Sequence, residues 1–254
     1  MTAARRNLLK TTTAALLRIL ANLDEDEFYR PDAAVQGWAR LAGAAQSKAA
    51  ALTDAGLARV LSELTGRDVG PIGTKLPARL RGVAPEQVYR RVPEQYRYAR
   101  SVGQGQEQAF AAAETRLKLL ISDDLRLAER ETTKQIYVAA KVSGYRRIVH
   151  PELSKGGTCG LCIAASDRVY GRAELLPLHT RCECSTLPIL GRLDPGRNLN
   201  ADEIGDLYRR AGGTDRQNLT RVRYTIHHHG ELGPVLRAEG EHFTGQTAAE
   251  DRGE

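Results

Sequence analysis

The sequence predicts a mainly α-helical protein, in which a helical N-terminal part (1–143) precedes a small α+β unit. Apolar residues keep a 3/4 spacing up to about residue 142, as amphipathic helices do, whereas short β-branched runs begin after Gly144. Aromatic residues make up only 5% of the 254 residues, fewer than a large β-sandwich usually contains. Both observations favour helices as the dominant structure.

Within residues 1–84 we expect three helices followed by a loop. Leucines recur on one face of the first helix until an acidic run interrupts them. A second helix is expected to begin near Pro31, because proline suits the first helical turn. A third is predicted from Leu57 to Leu64, ending at Gly66. Seven glycines and prolines between 66 and 85 then predict a loop or linker.

Three further segments are predicted. Residues 85–143 combine a short basic helix with a long amphipathic run that forms one helix or two. Residues 144–190 contain all four cysteines, and residues 191–254 form a polar extension. The expected elements are a basic helix at 86–100, a helical run at 106–142, a strand at 145–150, a helix at 201–210, a strand at 222–227 and disorder over the last 15 residues.

Charge and hydropathy give expectations about the environment. The net charge is +6, and residues 61–150 carry 16 basic against 10 acidic side chains. No apolar run approaches the roughly 20 residues that span a bilayer. The basic N-terminus is not followed by a clean apolar stretch or a cleavage site. We therefore expect no membrane association, no signal peptide, and synthesis in a cytoplasm.

The four cysteines lie close together and enclose a histidine. The pattern is Cys-x2-Cys, sixteen residues, then His-x2-Cys-x-Cys, so five candidate ligands are available for a tetrahedral ion. We predict a structural Zn2+ site that stabilises the α+β unit and leaves no open position for substrate water. The favoured ligands are Cys159, Cys162, His179 and Cys182, with Cys184 as the alternative fourth. Two disulfides, a redox pair and a metal-free cluster of reduced cysteines are the competing interpretations.

No catalytic motif accompanies the cluster. The sequence lacks His-Glu-x-x-His, a Walker loop, Gly-x-Ser-x-Gly and the His-x-Glu of zinc deaminases. Three adjacent histidines at 227–229 are interpreted as a solvated strand end, since neighbouring side chains on a strand point in different directions. The spacing also differs from that of a zinc finger, which disfavours a zinc-dependent regulator of transcription. We predict that the protein is not an enzyme.

The segment from Gly144 to Ile189 resembles the MuF-like minor head proteins of tailed bacteriophages, also called phage head morphogenesis proteins, in particular those of actinobacterial phages. The resemblance covers roughly residues 90–230. The matching residues are Gly144, Tyr145, Arg146, Arg147, Cys159, Cys162, Tyr170, His179, Cys182, Cys184 and Pro188.

The resemblance implies a minor structural protein of the virion that acts in head morphogenesis. It implies a place in the capsid interior or at the portal vertex, in an oligomeric assembly. The portal protein and the major capsid protein are the implied partners, and packaged double-stranded DNA is a further one. Some members of the family are described as capsid maturation proteases or toxin-type, DNA-acting enzymes, which we keep as the alternative function.

A basic stretch provides candidate binding residues outside the cysteine cluster. Between 75 and 100 the charge is +5, with three tyrosines interleaved. Such a mixture suits nucleic acid, a protein partner or a solvated helix face. Arg146 and Arg147 alternate along a strand, so at least one is expected to be exposed. The candidates are Arg79, Arg81, Arg90, Arg91, Arg97, Arg100, Arg146 and Arg147.

Overall fold

A computed structural model describes residues 2–150, 158–172, 184–192, 194, 201–229 and 233–238. The described chain is mainly helical, which confirms the predicted fold class at that level. It divides into two compact units, Met1–Ala140 and Lys141–Glu254. None of the helices in the described ranges is long and apolar enough to cross a membrane.

The first unit, which we call the helical unit, is built on three packed helices. α1, α2 and α5 contact one another, α4 packs on α5, and α3 packs on α2. A single 3-10 turn, η1, precedes α2 and contacts α4. The elements are α1 (Thr2–Ala21), η1 (Asp26–Phe28), α2 (Asp32–Thr65), α3 (Pro85–Tyr89), α4 (Arg91–Ser101) and α5 (Gln106–Ala139).

Small side chains let the helices of this unit approach closely. The core cluster contains nine buried alanines from α2, α4 and α5 beside larger apolar groups. Trp38 is fully buried, and its indole Nε1 donates to the Leu16 carbonyl oxygen at 3.1 Å, which satisfies the only polar atom of the ring. At Gly37 an added Cβ would lie 3.2 Å from Ile19 Cδ1, so glycine suits this crossing of α1 and α2.

The helix boundaries agree with the sequence predictions at the ends of α2 and differ in its middle. α2 begins after Pro31 and ends at Gly66, whose φ of 65° is the left-handed conformation that favours glycine. The predicted break before Leu57 is wrong. The helix continues through the buried Thr53, whose hydroxyl donates to the Ala49 carbonyl oxygen at 2.8 Å and is thereby satisfied inside the helix.

The predicted basic helix is two helices, and the long amphipathic run is one. α3 and α4 meet at Arg90, and Pro93 lies in the first turn of α4, where its missing N–H costs no helical hydrogen bond. Asp124 does not interrupt α5, because its carboxylate is paired within the core.

The predicted loop between α2 and α3 is confirmed, and a buried carboxylate holds it. The Asp54 side chain on α2 accepts hydrogen bonds from three successive backbone N–H groups of the loop, those of Ile72, Gly73 and Thr74, at 3.1, 2.8 and 3.1 Å. Asp54 is buried, so these donors satisfy a group that would otherwise be costly to desolvate.

The described residues of the second unit form two small antiparallel sheets and three short helices. β1 pairs with β3, with Gly144 opposite Ile189, and β4 lies between β2 and β5. The predicted strands at 145–150 and 222–227 are confirmed, as is the helix at 201–210; the predicted disorder falls outside the described residues. The elements are β1 (Gly144–Ile148), β2 (Thr158–Cys159), α6 (Gly160–Ser166), β3 (Ser185–Ile189), α7 (Ala201–Ala211), α8 (Arg216–Arg221), β4 (Arg223–His229) and β5 (Gly233–Ala238).

The polar extension shares a core with the cysteine segment. Ile163 and Ala164 of α6 pack against Leu207 of α7 and Leu219 of α8. The contact is tight, because a Cβ added at Gly160 would lie 2.9 Å from both Leu207 Cδ1 and the Leu219 carbonyl oxygen. The turn between the two cysteines of the Cys-x2-Cys motif is therefore covered by residues that lie about 50 positions later in the chain.

Candidate functional site

Two of the five Cys/His candidates are brought together. Cys162 on α6 is 5% exposed, and the half-buried Cys184 packs in the same cluster with Val149 and Leu161. Cys184 directly precedes β3, so the strand pairing that places β3 beside β1 also places this thiol. The returning chain thus places a second sulfur in the same cluster as the first.

The other candidates lie beyond what is described. Cys159 occupies β2 opposite Arg223 on β4, but the position of its side chain is not among the described features. His179 and Cys182 lie outside the described residues altogether. Within the described part of the chain, no group of three or more Cys, His, Asp or Glu side chains is arranged to hold a metal. His227, His228 and His229 belong to β4, and only their backbone is described.

The Gly-Tyr-Arg-Arg lead-in forms the interior of the second unit. The Tyr145 and Tyr170 rings stack with centroids 5.3 Å apart, and their backbones form an isolated antiparallel bridge. The Arg147 guanidinium lies 4.9 Å from the centroid of Tyr170 and 6.0 Å from that of Tyr145, a cation–π arrangement. Gly144 is needed beside them, since a Cβ there would lie 3.0 Å from the Tyr170 carbonyl oxygen.

Arg146 lies on the opposite face of β1 and is held by an acidic partner. Its Nε and Nη2 contact both carboxylate oxygens of Asp194 at 2.7 to 2.9 Å, and Nη1 donates to the Asp167 carbonyl oxygen. The hydrogen bonds to Asp194 raise the pKa of Arg146 further, although burial opposes them. This two-pronged geometry is one that lysine cannot reproduce.

The expectation that Arg146 or Arg147 would be exposed is wrong. Their side chains are only 6% and 3% exposed, because both faces of β1 are covered. One face meets Asp194 and the turn at Asp167, and the other meets the tyrosine rings. These two residues therefore belong to the structure of the unit and present no surface to a partner.

Arg81 of the basic stretch is part of a buried polar cluster in the helical unit. Its Nε contacts Asp124 Oδ1 at 2.6 Å, and the Tyr89 hydroxyl donates to Asp124 Oδ2 at 2.7 Å. Arg81 Nη2 also donates to the Leu120 carbonyl oxygen at 3.3 Å. Burial, followed by the Asp124 charge, raises the pKa of Tyr89 far above its usual value, so Tyr89 remains a hydrogen-bond donor.

Three more arginines of the stretch contact other parts of the helical unit. Arg90 pairs with Asp32 at 2.7 Å, and Arg97 Nη1 donates to the Phe28 carbonyl oxygen at 2.7 Å. Arg100 donates to the Gln104 carbonyl oxygen at 3.1 Å. It also lies 3.3 Å from Glu25 Oε1.

Arg79 and Arg91 are exposed, and neither side chain forms an ion pair or hydrogen bond within the described residues. Carboxylates from α2, α5 and the turn before η1 pair with three of the seven cations in 75–100, so the excess of positive charge is partly balanced. As a consequence, the stretch is a weaker candidate for a polyanion than its composition suggested.

A pocket with a volume of about 540 Å³ lies at the end of α4. Two of the predicted candidates, Arg97 and Arg100, line it together with the exposed Tyr29. The remaining walls are Ser101, Gly103 and Gln104.

The outer face of α1 is a basic surface that the sequence analysis missed. Arg6, Lys10 and Arg18 are exposed and follow the i, i+4 spacing of one helix face, with the exposed Ala14 between the last two. No residue of α1 is acidic, and no carboxylate of the described residues pairs with these three cations. Their spacing together with the absence of acidic residues is the signal that would have identified them.

Comparisons with protein-family models, with curated proteins and with solved structures gave no match for this chain.

Proposed function

We propose that the chain is a minor structural protein of a tailed-phage head, acting in head morphogenesis within the capsid interior or at the portal vertex. The observation that carries the proposal is the interior role of the motif on which the family resemblance rests. Tyr145, Arg146 and Arg147 are buried, Arg147 packs on the stacked rings of Tyr145 and Tyr170, and Arg146 pairs with Asp194 on the other face of the strand. A motif used in this way builds a rigid unit, which suits a structural component better than the protease or toxin-type alternative.

A structural Zn2+ completes this unit in the proposal. Thiols that share a buried cluster, as Cys162 and Cys184 do, are suited to become thiolate ligands. Their proximity supports Cys184 as one of the four ligands beside Cys162, with two of Cys159, His179 and Cys182 supplying the others. The ion would crosslink the turn at α6 to the segment leading into β3, and its role would be to stabilise the fold.

The helical unit is the proposed binding part, and we assign packaged DNA to the outer face of α1. Three cations on one face rise over 12 residues, or about 18 Å, which spans several phosphates of a duplex. The intervening side chains are small or uncharged, so a phosphate backbone can approach. The Arg79–Arg100 stretch is less suited, because most of its arginines contact groups of the protein.

A salt titration of DNA binding tests the assignment to α1. Replacing Arg6, Lys10 and Arg18 with Ala should weaken binding to any duplex sequence and lower the log–log salt slope by roughly 0.9 per lost contact, about 2.7 in all. The matched control replaces the exposed Arg79 and Arg91, which should change little. A larger loss in the control variant would return DNA binding to the basic stretch.

The position of the protein in purified particles tests the function itself. Mass spectrometry of particles from the encoding phage should detect the chain, and gold-labelled antibody on opened particles should mark the lumen or one vertex. Its absence from particles, with the chain still made in infected cells, would overturn the structural role.

A further inference from the structure

We propose that the pocket at the end of α4 is a protein docking site for a partner segment that presents one carboxylate beside an aliphatic or aromatic side chain. The site comprises Tyr29, Arg97, Arg100 and the adjoining Tyr98 and Val102. This inference rests on the proposed function, because the pocket would be the surface through which the helical unit binds another protein of the head.

Arg97 supplies a positive charge that the protein orients without neutralising. The Phe28 carbonyl oxygen accepts one of its five N–H donors at 2.7 Å. No carboxylate of the described residues forms an ion pair with Arg97, so its charge stays available to the pocket that it lines. A guanidinium held in this way is prepared to receive a carboxylate with little loss of side-chain entropy.

Arg100 is bound only weakly within the protein. Its pair with Glu25 is 3.3 Å long, and the two side chains are 36% and 42% exposed. Exposed pairs of this kind contribute little. A partner carboxylate can therefore replace Glu25 at small cost, and Arg100 becomes a second donor in the same pocket.

Three exposed apolar side chains accompany these arginines, since Tyr29 lines the pocket and Tyr98 and Val102 lie at the same end of α4. Tyr29, Tyr98 and Val102 are 56%, 63% and 55% exposed, which makes them three of the eight large hydrophobic side chains exposed in the described part of the chain. Tyr98 and Val102 are one helical turn apart at the end of α4. Tyrosine and arginine are the residue types that anchor protein interfaces, and their apolar neighbours exclude water from the contact.

The charge around the pocket favours a protein segment over nucleic acid. The acidic run from Asp24 to Glu27 leads into η1, and Asp26 and Glu27 are exposed in that turn. Glu94 is exposed on α4. A nucleic acid carries a charge at every phosphate and would meet this repulsion along its length, whereas one carboxylate directed at Arg97 would not.

The test is a selection from a phage-displayed library of random 12-residue peptides against the full-length protein. The counter-target is the variant with Tyr29→Ala, Tyr98→Ala and Val102→Ser. Enriched peptides should share Asp or Glu next to an apolar residue. In fluorescence anisotropy, Tyr98→Ala and Arg97→Gln should each raise the Kd of a selected peptide about tenfold.

Matched variants and DNA complete the experiment. Val83→Ser removes an exposed apolar group away from the pocket and should leave the Kd unchanged. If Arg97→Gln fails to fold, Tyr98→Ala still tests the pocket. Tyr98 is 63% exposed, so its truncation should leave the fold intact. Failure to enrich any peptide over the counter-target overturns the proposal, as does binding of a 20-base-pair duplex that Tyr98→Ala abolishes. Particles that contain the wild-type chain would still support the proposed function in either case.

Discussion

The two units of the molecule are held together by different means. The core cluster of the helical unit joins 23 buried apolar residues from all of its longer helices. In the described part of the second unit, one apolar cluster has four buried members, and Cys162 lies in a separate, smaller cluster. The first unit thus has one extensive apolar core, whereas the described part of the second unit combines smaller apolar clusters with a buried ion pair and a cation–π contact.

This difference predicts which substitutions should destabilise each unit. In the helical unit, substitution of a surface residue should change stability little, because the large core is retained. Loss of one of the few buried charges should destabilise the unit strongly. In the second unit, a bidentate ion pair, a stacked pair of tyrosines and the cysteine cluster each join segments that are distant in the sequence.

Removal of the proposed zinc should unfold part of the second unit and leave the helical unit folded. We expect about one zinc per purified chain, and chelation or Cys162→Ser should unfold residues 144–190, since structural zinc supplies folding free energy on the order of 10 kcal/mol. The helices of the first unit should survive, because their core holds none of the candidate ligands. Hydrogen exchange resolved along the chain measures both regions. Protein that contains no metal and is unaffected by chelator would contradict the prediction.

Asp124→Ala should lower the stability of the helical unit selectively. It leaves Arg81 and the Tyr89 hydroxyl without their carboxylate, and breaking a buried pair in this way costs about 3–5 kcal/mol. Urea denaturation followed by far-UV circular dichroism measures the loss. The neighbouring Asp123→Ala is the control and should change stability by about 0.5 kcal/mol or less. Equal effects of the two substitutions would show that the buried cluster is not critical.

Arg146→Lys should weaken the second unit while keeping the charge. Lysine cannot contact both oxygens of Asp194 and the Asp167 carbonyl oxygen together, so we expect a loss of about 1.5–3 kcal/mol. Arg168→Lys, on an exposed residue of the same unit, is the control. Thermal unfolding monitored by near-UV dichroism of the stacked tyrosines reports the change. If both variants melt together, the ion pair does not hold the unit.

The smallest effect that we predict is a pH dependence of stability from the Asp215 cap at the start of α8. The Asp215 carboxylate accepts from the backbone N–H groups of Asn218 and Gln217 at 3.1 and 2.9 Å, and these bonds lower its pKa. A lowered pKa means that the contribution to stability is present above the usual aspartate range and is lost as pH falls through the folded value. NMR titration should show this pKa below its ordinary range, and Asp215→Asn should remove the pH dependence while preserving the cap. An ordinary pKa would contradict the cap.

Periodicity predicted most of the helices and strands, and the spacing of the cysteines predicted a shared site, which stays a prediction beyond the clustering of Cys162 with Cys184. Both patterns are local, so they can be recognised without knowing the tertiary structure. The partners of the arginines are not local. Arg81 meets a carboxylate 43 residues away, and Arg90 meets one 58 residues away. Charge counted along a segment therefore overestimated the positive surface of 75–100.

One local signal did exist for the buried cluster. Asp124 interrupts an otherwise apolar stripe of α5, and a carboxylate in such a position must be paired to be tolerated. The burial of Arg146 and Arg147 had no comparable signal. Alternation along a strand shows that two side chains face opposite ways, but it does not show that each side is covered.

The hydrogen bonds between Asp54 and the loop at 72–74 influence the order in which the chain folds during synthesis. Its three donors lie only 18 to 20 residues further along, so this contact closes a short loop at low entropic cost. As the nascent chain leaves the ribosome, residues 32–74 can organise before α5 has been translated. The chain is then already turned back along α2, and α3 and α5 emerge next to the surface on which they pack.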